Sequence, residues 1–352
     1  MRYNSGMKHL MQQLQETAAA TSPLCVGLDT DPSYLPAPLL HIFDSPAEAV
    51  LAYNKEIIKR IAAEKTACCC KIQIAYYEAM GIAGLRAYIE TIRAVHEAGL
   101  LAISDIKRGD IADTAKAYAR AHFSGDFATD IITVNPYMGF DTLAPFTDYC
   151  KPAANDSAHD SANDGASSAS ADSDTTARAS AKDDTATASA SGGKGVFVLL
   201  RTSNPGMADI EQQELATGGR VLDKTGAELS RLAAEFKALY PEQTCSPVGA
   251  VVGCTEEHDA RALRDAYPDL FFLIPGYGAQ GGAARIAATL LDRAGGTVNS
   301  SRGILCAWKK APELADKVAS GNLCLKEIAD AAGAAARAAT DDLLAAKRAL
   351  GR

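Results

Sequence analysis

The chain has no excess of positive charge. Its 35 Lys and Arg stand against 43 Asp and Glu, a net charge of −8. General nucleic-acid binding needs a basic face and is disfavoured. No apolar run reaches the length that spans a bilayer, and the first residues lack the pattern of a secretory leader, so none is expected. No C-x-x-C pair suits zinc. The nine cysteines are odd in number, and Cys68, Cys69 and Cys70 are consecutive. Neighbouring strand residues point to opposite faces, so this triplet makes a poor disulfide framework. Reduced, core-packed thiols are expected, in a cytoplasmic setting.

From 153 to 194 the chain has no aromatic and no large aliphatic residue, only Ala, Ser, Asp, Thr, Asn and Gly with a few others. Such a stretch cannot bury enough apolar surface to offset the entropy of ordering it. It is expected to be a disordered insertion between the fourth and fifth strands of a single domain spanning 1–352, since lengthening a loop adds little closure entropy. A spacer or partner-binding segment is the alternative.

What remains has a rhythm. Short apolar runs fall at 24–29, 69–75, 101–106, 130–135, 195–201, 248–253, 270–274 and 297–301. Helical spacings lie between them, as in Ile82, Leu85, Ile89 and Ile92 with His96 one turn on. Apolar strands alternating with amphipathic helices predict a parallel sheet covered by helices. Eight such units predict an α/β fold of the (β/α)8 TIM barrel type with extra N- and C-terminal helices. A doubly wound open sheet is the alternative. At the N-terminus Met7, Leu10, Met11 and Leu14 have the spacing of a surface helix.

In a barrel the chemistry sits at the C-terminal ends of the strands. There the sequence reads Asp105-Ile-Lys107-Arg-Gly109-Asp110. Asp105 and Lys107, two apart, face the same side. Gly109 permits a sharp turn, Asp110 suits a helix cap, and Thr114 follows one turn later. On these residues alone, an active site and a structural salt-bridge cluster stay equally open. Lys71 lies inside an apolar strand and needs carboxylate neighbours there. A chain Lys71–Asp105–Lys107–Asp110 would keep every charge paired. An exposed lysine at a strand end is the alternative.

Pro275-Gly-Tyr-Gly-Ala-Gln280-Gly281-Gly opens a helix, and Gly-rich turns of that kind expose amides to an anion. The letters match G-x-G-x-x-G, but the turn follows the seventh strand, and the next strand ends in Ser300-Ser301-Arg302 rather than an acid. Phosphate binding after strands seven and eight fits better, with Arg302 as a bidentate donor; a plain connector and a surface arginine remain the alternative. Thr202-Ser203-Asn204-Pro-Gly suits a polar ring edge or a ligand-free Pro-Gly turn. Asp29 suits sugar hydroxyls, and Asp31 before Pro32 suits turn chemistry.

Together these motifs resemble the orotidine 5′-phosphate decarboxylase family, in its bacterial type 2 branch. The resemblance runs through Gly27-Leu-Asp29, Lys71 with the following Ala75-Tyr-Tyr-Glu-Ala-Met-Gly81, Asp105-x-Lys107-x-x-Asp110-Ile111, Asn135-Pro-Tyr-Met-Gly139, Thr202-Ser203-Asn-Pro-Gly206, Pro275-Gly-Tyr-Gly-Ala-Gln280-Gly-Gly282 and Ser301-Arg302-Gly303. It covers about 24–308 apart from the insertion, which departs from the family's core pattern. It implies decarboxylation of orotidine 5′-monophosphate to uridine 5′-monophosphate with neither metal nor organic cofactor. It further implies Lys107 as proton donor to C6, Asp105 against the substrate carboxylate, and Lys71 and Asp110 completing the charge array. Asp29 and Lys71 would hold the ribose, Ser203 the pyrimidine edge, and Pro275, Gln280, Gly281 and Arg302 the phosphate end. Asp110 and Thr114 would reach the neighbouring site of a homodimer. One alternative is a Mg²⁺-dependent sugar-phosphate decarboxylase or aldolase of the same superfamily, which has a glutamate where this chain has Lys71. Another is a silent barrel binding a partner through its insertion.

Overall fold

The computed structural model describes residues 8–152, 193–277 and 283–351. Among them run eight parallel strands: β1 Leu24–Gly27, β2 Cys69–Gln73, β3 Leu101–Arg108, β4 Ile131–Val134, β5 Gly195–Arg201, β6 Val248–Val252, β7 Phe272–Ile274 and β8 Gly296–Ser300. Each pairs with the next, and β8 returns to β1, closing the barrel in sequence order. The open doubly wound alternative is thereby excluded.

The two-residue period of a strand divides this sheet into two cores. Leu24, Val26, Cys70, Ile72, Ala102, Ile132, Val196 and Val198 point outward and pack under the surrounding helices. Cys25, Cys69, Ile103, Ile131, Phe197, Val251 and Leu273 point inward and fill the barrel. Two residues higher, the same inward rows carry Lys71, Asp105 and Thr133. One parity therefore supplies both an apolar plug below and a polar floor above.

The helix Leu10–Ala20 corrects the surface-helix expectation. Met11 and Leu14 are fully buried and join the interior cluster, so the helix closes the lower mouth of the barrel. Its polar side anchors it: Gln12 Oε1 accepts from Thr244 N at 3.0 Å and Cys245 N at 2.8 Å. Met7 lies outside the described residues.

The helix Gly81–Glu97 is also rotated from the expected stripe. It buries Gly84, Ala87, Tyr88, Thr91, Ile92 and Val95, while Ile82 is 74% exposed. Tyr88 carries the packing, and the small residues beside it allow close approach. All nine cysteines are free thiols, six of them buried.

Of the expected insertion, residues 153–192 lie outside the described residues. Gly193 and Lys194, grouped with it by composition, belong to the barrel. Gly193 O accepts from Leu10 N at 3.0 Å, and Lys194 Nζ donates to Thr129 O at 2.7 Å.

Candidate active site

β2 and β3 lie side by side, with Gln73 opposite Asp105. Lys71 and Asp105 are buried. Lys71 Nζ donates to Asp29 Oδ1 at 2.8 Å and stands 3.0 Å from Asp105 Oδ2. Burial alone would lower the Lys71 pKa, but the Asp105 and Asp29 carboxylates outweigh it and hold the ammonium above its ordinary range. For Asp105, burial pushes the carboxyl up, and Lys71 and Lys107 overcome this and bring it down to about 2. Lys107 Nζ donates to Asp105 Oδ1 at 2.6 Å, with 44% of its side chain exposed. The ladder is thus Asp29–Lys71–Asp105–Lys107, and its last ammonium is open to a ligand.

The local fold behind Lys107 is unusual. β3 runs beyond its expected end to Arg108, and its register against β4 shifts between Ser104 and Arg108. Within that bulge Thr133 Oγ1 accepts from Ile106 N at 3.0 Å and Lys107 N at 2.9 Å, and donates to Asp105 Oδ1 at 2.9 Å. Lys107 itself has φ of 45°. A left-handed conformation at a residue with a long side chain costs energy and occurs where surrounding bonds impose it.

Two details of the expected turn are corrected. The left-handed residues are Lys107 and Ala112, not Gly109. Gly109 is needed for another reason: a Cβ there would stand 2.7 Å from Asn135 O. Asp110 neither joins the ion ladder of this protomer nor caps the helix Ala112–Ser124, whose N-cap is Ile111. Its Oδ1 accepts from the adjacent Ile111 N at 2.8 Å. Thr114 is exposed in the first turn of that helix.

Above the ladder opens a cavity of about 370 Å³. Lys71, Asp105 and Lys107 line one side, and Ser203, Pro275 and Asn299 are among those lining the rest. Ser203 and Pro275 therefore line the same cavity as the charges. Arg302 is exposed at the start of the helix Arg302–Leu305, directly after β8, with no ion pair among the described residues. Gln280 and Gly281 lie outside the described residues. Asp31 accepts from Ser33 N at 2.9 Å, which is the turn chemistry its sequence suggests.

Thr133 and Ser301 were missing from the candidate set. Alternation along β4 gave a signal for Thr133, which sits two residues above the inward Ile131. Ser301 Oγ donates to Asp29 Oδ2 at 2.7 Å, so both carboxylate oxygens of Asp29 are held. A Cβ at Gly27 would collide with Ser301 Oγ, which explains a glycine at the end of β1. No spacing rule joins residues so far apart in sequence.

Comparison with known proteins gives one result throughout. The model of the orotidine 5′-phosphate decarboxylase / HUMPS family matches residues 22–316. An orotidine 5′-phosphate decarboxylase of Clostridium botulinum (strain Langeland) is 42% identical over 307 residues, covering 86% of this chain and 92% of that protein. One of Clostridium novyi is 40% identical over 302 residues, covering 86% and 90%. The solved OMP decarboxylase of Leishmania donovani is 26% identical, with a TM-score of 0.62 over 97% of this chain and 99% of that one.

Proposed function

Because this chain belongs to the orotidine 5′-phosphate decarboxylase family, we propose that its ion ladder is the catalytic apparatus, with Lys107 as the proton donor. The enzyme is a carboxy-lyase that converts orotidine 5′-monophosphate to uridine 5′-monophosphate and carbon dioxide. Breaking the bond from C6 to the carboxyl carbon leaves an electron pair in the plane of the ring, where the π system cannot spread it. Stabilisation must then come from a cation already in place. Lys107 is such a cation, fixed to Asp105 at 2.6 Å and facing the cavity. It gives its proton to C6 as carbon dioxide departs. Asp105 lies against the substrate carboxylate, keeps Lys71 charged and pairs with Lys107.

The rest of the cavity takes the rest of the nucleotide. Asp29 and Lys71 hold the ribose, Ser203 meets the pyrimidine edge, and Pro275, Gln280, Gly281 and Arg302 receive the phosphate end. In support of this division, Ser203 and Lys71 line the same cavity, and Arg302 starts the helix Arg302–Leu305 one residue beyond β8.

Asp110 and Thr114 complete the site of a second copy in a homodimer. Among the described residues of one protomer Asp110 pairs with no cation, which supports a role in trans. Its neighbour Ile111 is 59% exposed, and Tyr137 and Met138 are 77% and 55% exposed on the loop after β4, whose Asn135 N donates to Arg108 O at 2.8 Å. Burying such a patch favours association. Among the described residues no helix is long and apolar enough to cross a membrane. The free thiols support work in the reducing cytoplasm.

The observation that carries the reading is the ladder Asp29–Lys71–Asp105–Lys107 beneath an open cavity. A metal-dependent sugar-phosphate reaction fits less well, since the Lys71 ammonium, held between two carboxylates, stands where those enzymes have a glutamate. The test mixes chelator-treated protein with orotidine 5′-monophosphate and follows the pyrimidine absorbance. Turnover is expected without added metal. Absence of turnover in folded protein, or a strict need for Mg²⁺, contradicts the reading.

A further inference from the structure

Between β5 and the helix Val221–Ala238 the chain makes a long excursion over the rim. It is a built element. Glu214 and Arg220 form an antiparallel bridge, Leu215 N donates to Gly219 O at 2.8 Å, and Val221 N donates to Gln213 O at 3.0 Å. The excursion folds one carboxylate back onto the barrel, that of Glu211. Glu211 Oε1 and Oε2 accept from Thr202 N at 3.2 and 3.0 Å, and Oε1 also accepts from Thr202 Oγ1 at 2.8 Å. Leu222 N donates to Glu211 O at 2.9 Å, fixing the glutamate's own backbone.

Thr202 is the first residue after β5, and it lines the catalytic cavity together with the next two, Ser203 and Asn204. Thr202 Oγ1 also stands 2.8 Å from the Oδ1 end of the Asn204 amide. A hydroxyl has one proton to give, and an ionised carboxylate only accepts. If Thr202 gives its proton to Glu211, Asn204 meets Thr202 Oγ1 through its NH2 group. The orientation of an amide is set by such a network. Glu211 thus holds the Thr202 amide and hydroxyl and, through the hydroxyl, the Asn204 side chain, the two residues on either side of Ser203, without itself lining the cavity of about 370 Å³.

We propose that Glu211 is a positioning residue that holds Thr202–Asn204 in the arrangement that reads the pyrimidine edge. This rests on the assignment of Ser203 to that edge. A glutamate serving only general rigidity would affect every ligand of the rim alike. One serving the ring edge affects ligands that carry a ring.

The experiment measures competitive inhibition by uridine 5′-monophosphate and by ribose 5-phosphate in wild type, Glu211→Ala, Glu211→Gln and Ser203→Ala. Thermal unfolding of each variant is recorded alongside. Loss of a charge-assisted hydrogen bond predicts about tenfold weaker binding of uridine 5′-monophosphate by both Glu211 variants. Ribose 5-phosphate should stay within about twofold, and KM for the substrate should rise more than kcat falls. Unchanged uridine 5′-monophosphate binding, or equal weakening of both ligands, overturns the proposal. If Ser203→Ala loses ring-selective binding and the Glu211 variants do not, this inference fails alone. If Ser203→Ala shows no ring-selective loss, the assignment of Ser203 fails and takes the inference with it.

Discussion

Lys107 Nζ lies 2.6 Å from Asp105 Oδ1, and the backbone that brings it there has φ of 45° at Lys107. A strained conformation is kept only when its surroundings enforce it. Here Thr133 Oγ1 enforces it, accepting from two successive amides and donating to the same Asp105 oxygen.

Thr133→Val keeps the side-chain shape and removes that oxygen. Two amides and a carboxylate then lose a partner, a destabilisation of about 1–3 kcal/mol. Turnover should fall with it, since Lys107 loses its backbone support, whereas Thr133→Ser should keep most activity. Urea unfolding and steady-state kcat check both. A fully active Thr133→Val enzyme would remove Thr133 from the account.

Lys71 and Lys107 should separate in stability. Lys71→Met strips the buried cation from between Asp29 and Asp105, and breaking a buried pair costs about 3–5 kcal/mol. Lys107 keeps 44% of its side chain exposed, so losing its ion pair should cost no more than about 1 kcal/mol. Denaturant midpoints measure the gap. Equal stability of the two variants argues against a buried ladder.

The ladder also predicts an acid limb. Asp105 has an ordinary pKa of 3.8 and is held at about 2 in the fold. A depressed carboxylate adds stability that is present above its unfolded pKa and fades as pH falls through the folded one. Asp105 should therefore contribute about 2 kcal/mol at pH 5 and lose that contribution between roughly pH 4 and pH 2. Lys71, raised above 10.5, has the opposite sign: its contribution holds below that value and fades only in strong alkali. Wild type and Asp105→Asn should converge in unfolding free energy as pH drops from 5 to 2. Parallel curves would contradict the assignment.

The shared site can be tested by complementation. Lys107→Ala and Asp110→Ala homodimers should each be poorly active. Mixed and re-equilibrated, they form heterodimers in which one site has its own Lys107 and the partner's intact Asp110. Recovery of up to about a quarter of wild-type activity is expected from random pairing. No recovery, with subunit exchange shown by mass, places Asp110 in its own protomer's site.

Much of this was legible in the sequence, for identifiable reasons. The period of two along β2 and β3 puts Lys71, Asp105 and Lys107 on the inner face, and the barrel brings those faces together. Strand ends were less legible, because β3 is prolonged by a side chain of β4 rather than by its own pattern. The link from Asp29 to Ser301 depends on closure of β8 on β1, which no local pattern encodes. The helix Leu10–Ala20 read as amphipathic and is so, but amphipathicity does not say which apolar surface it will cover. Asp110 follows Lys107 closely in sequence yet does not join the ladder of its own protomer. The turn carries its carboxylate to Ile111 N instead.

The central claim is that Lys107 supplies the proton that replaces carbon dioxide at C6. Its direct test is the turnover of orotidine 5′-monophosphate by Lys107→Ala, with circular dichroism and thermal unfolding to establish the fold. The account predicts a native spectrum, near-normal stability and a kcat lowered by about 10³-fold or more. A folded Lys107→Ala enzyme within about tenfold of wild type would contradict it.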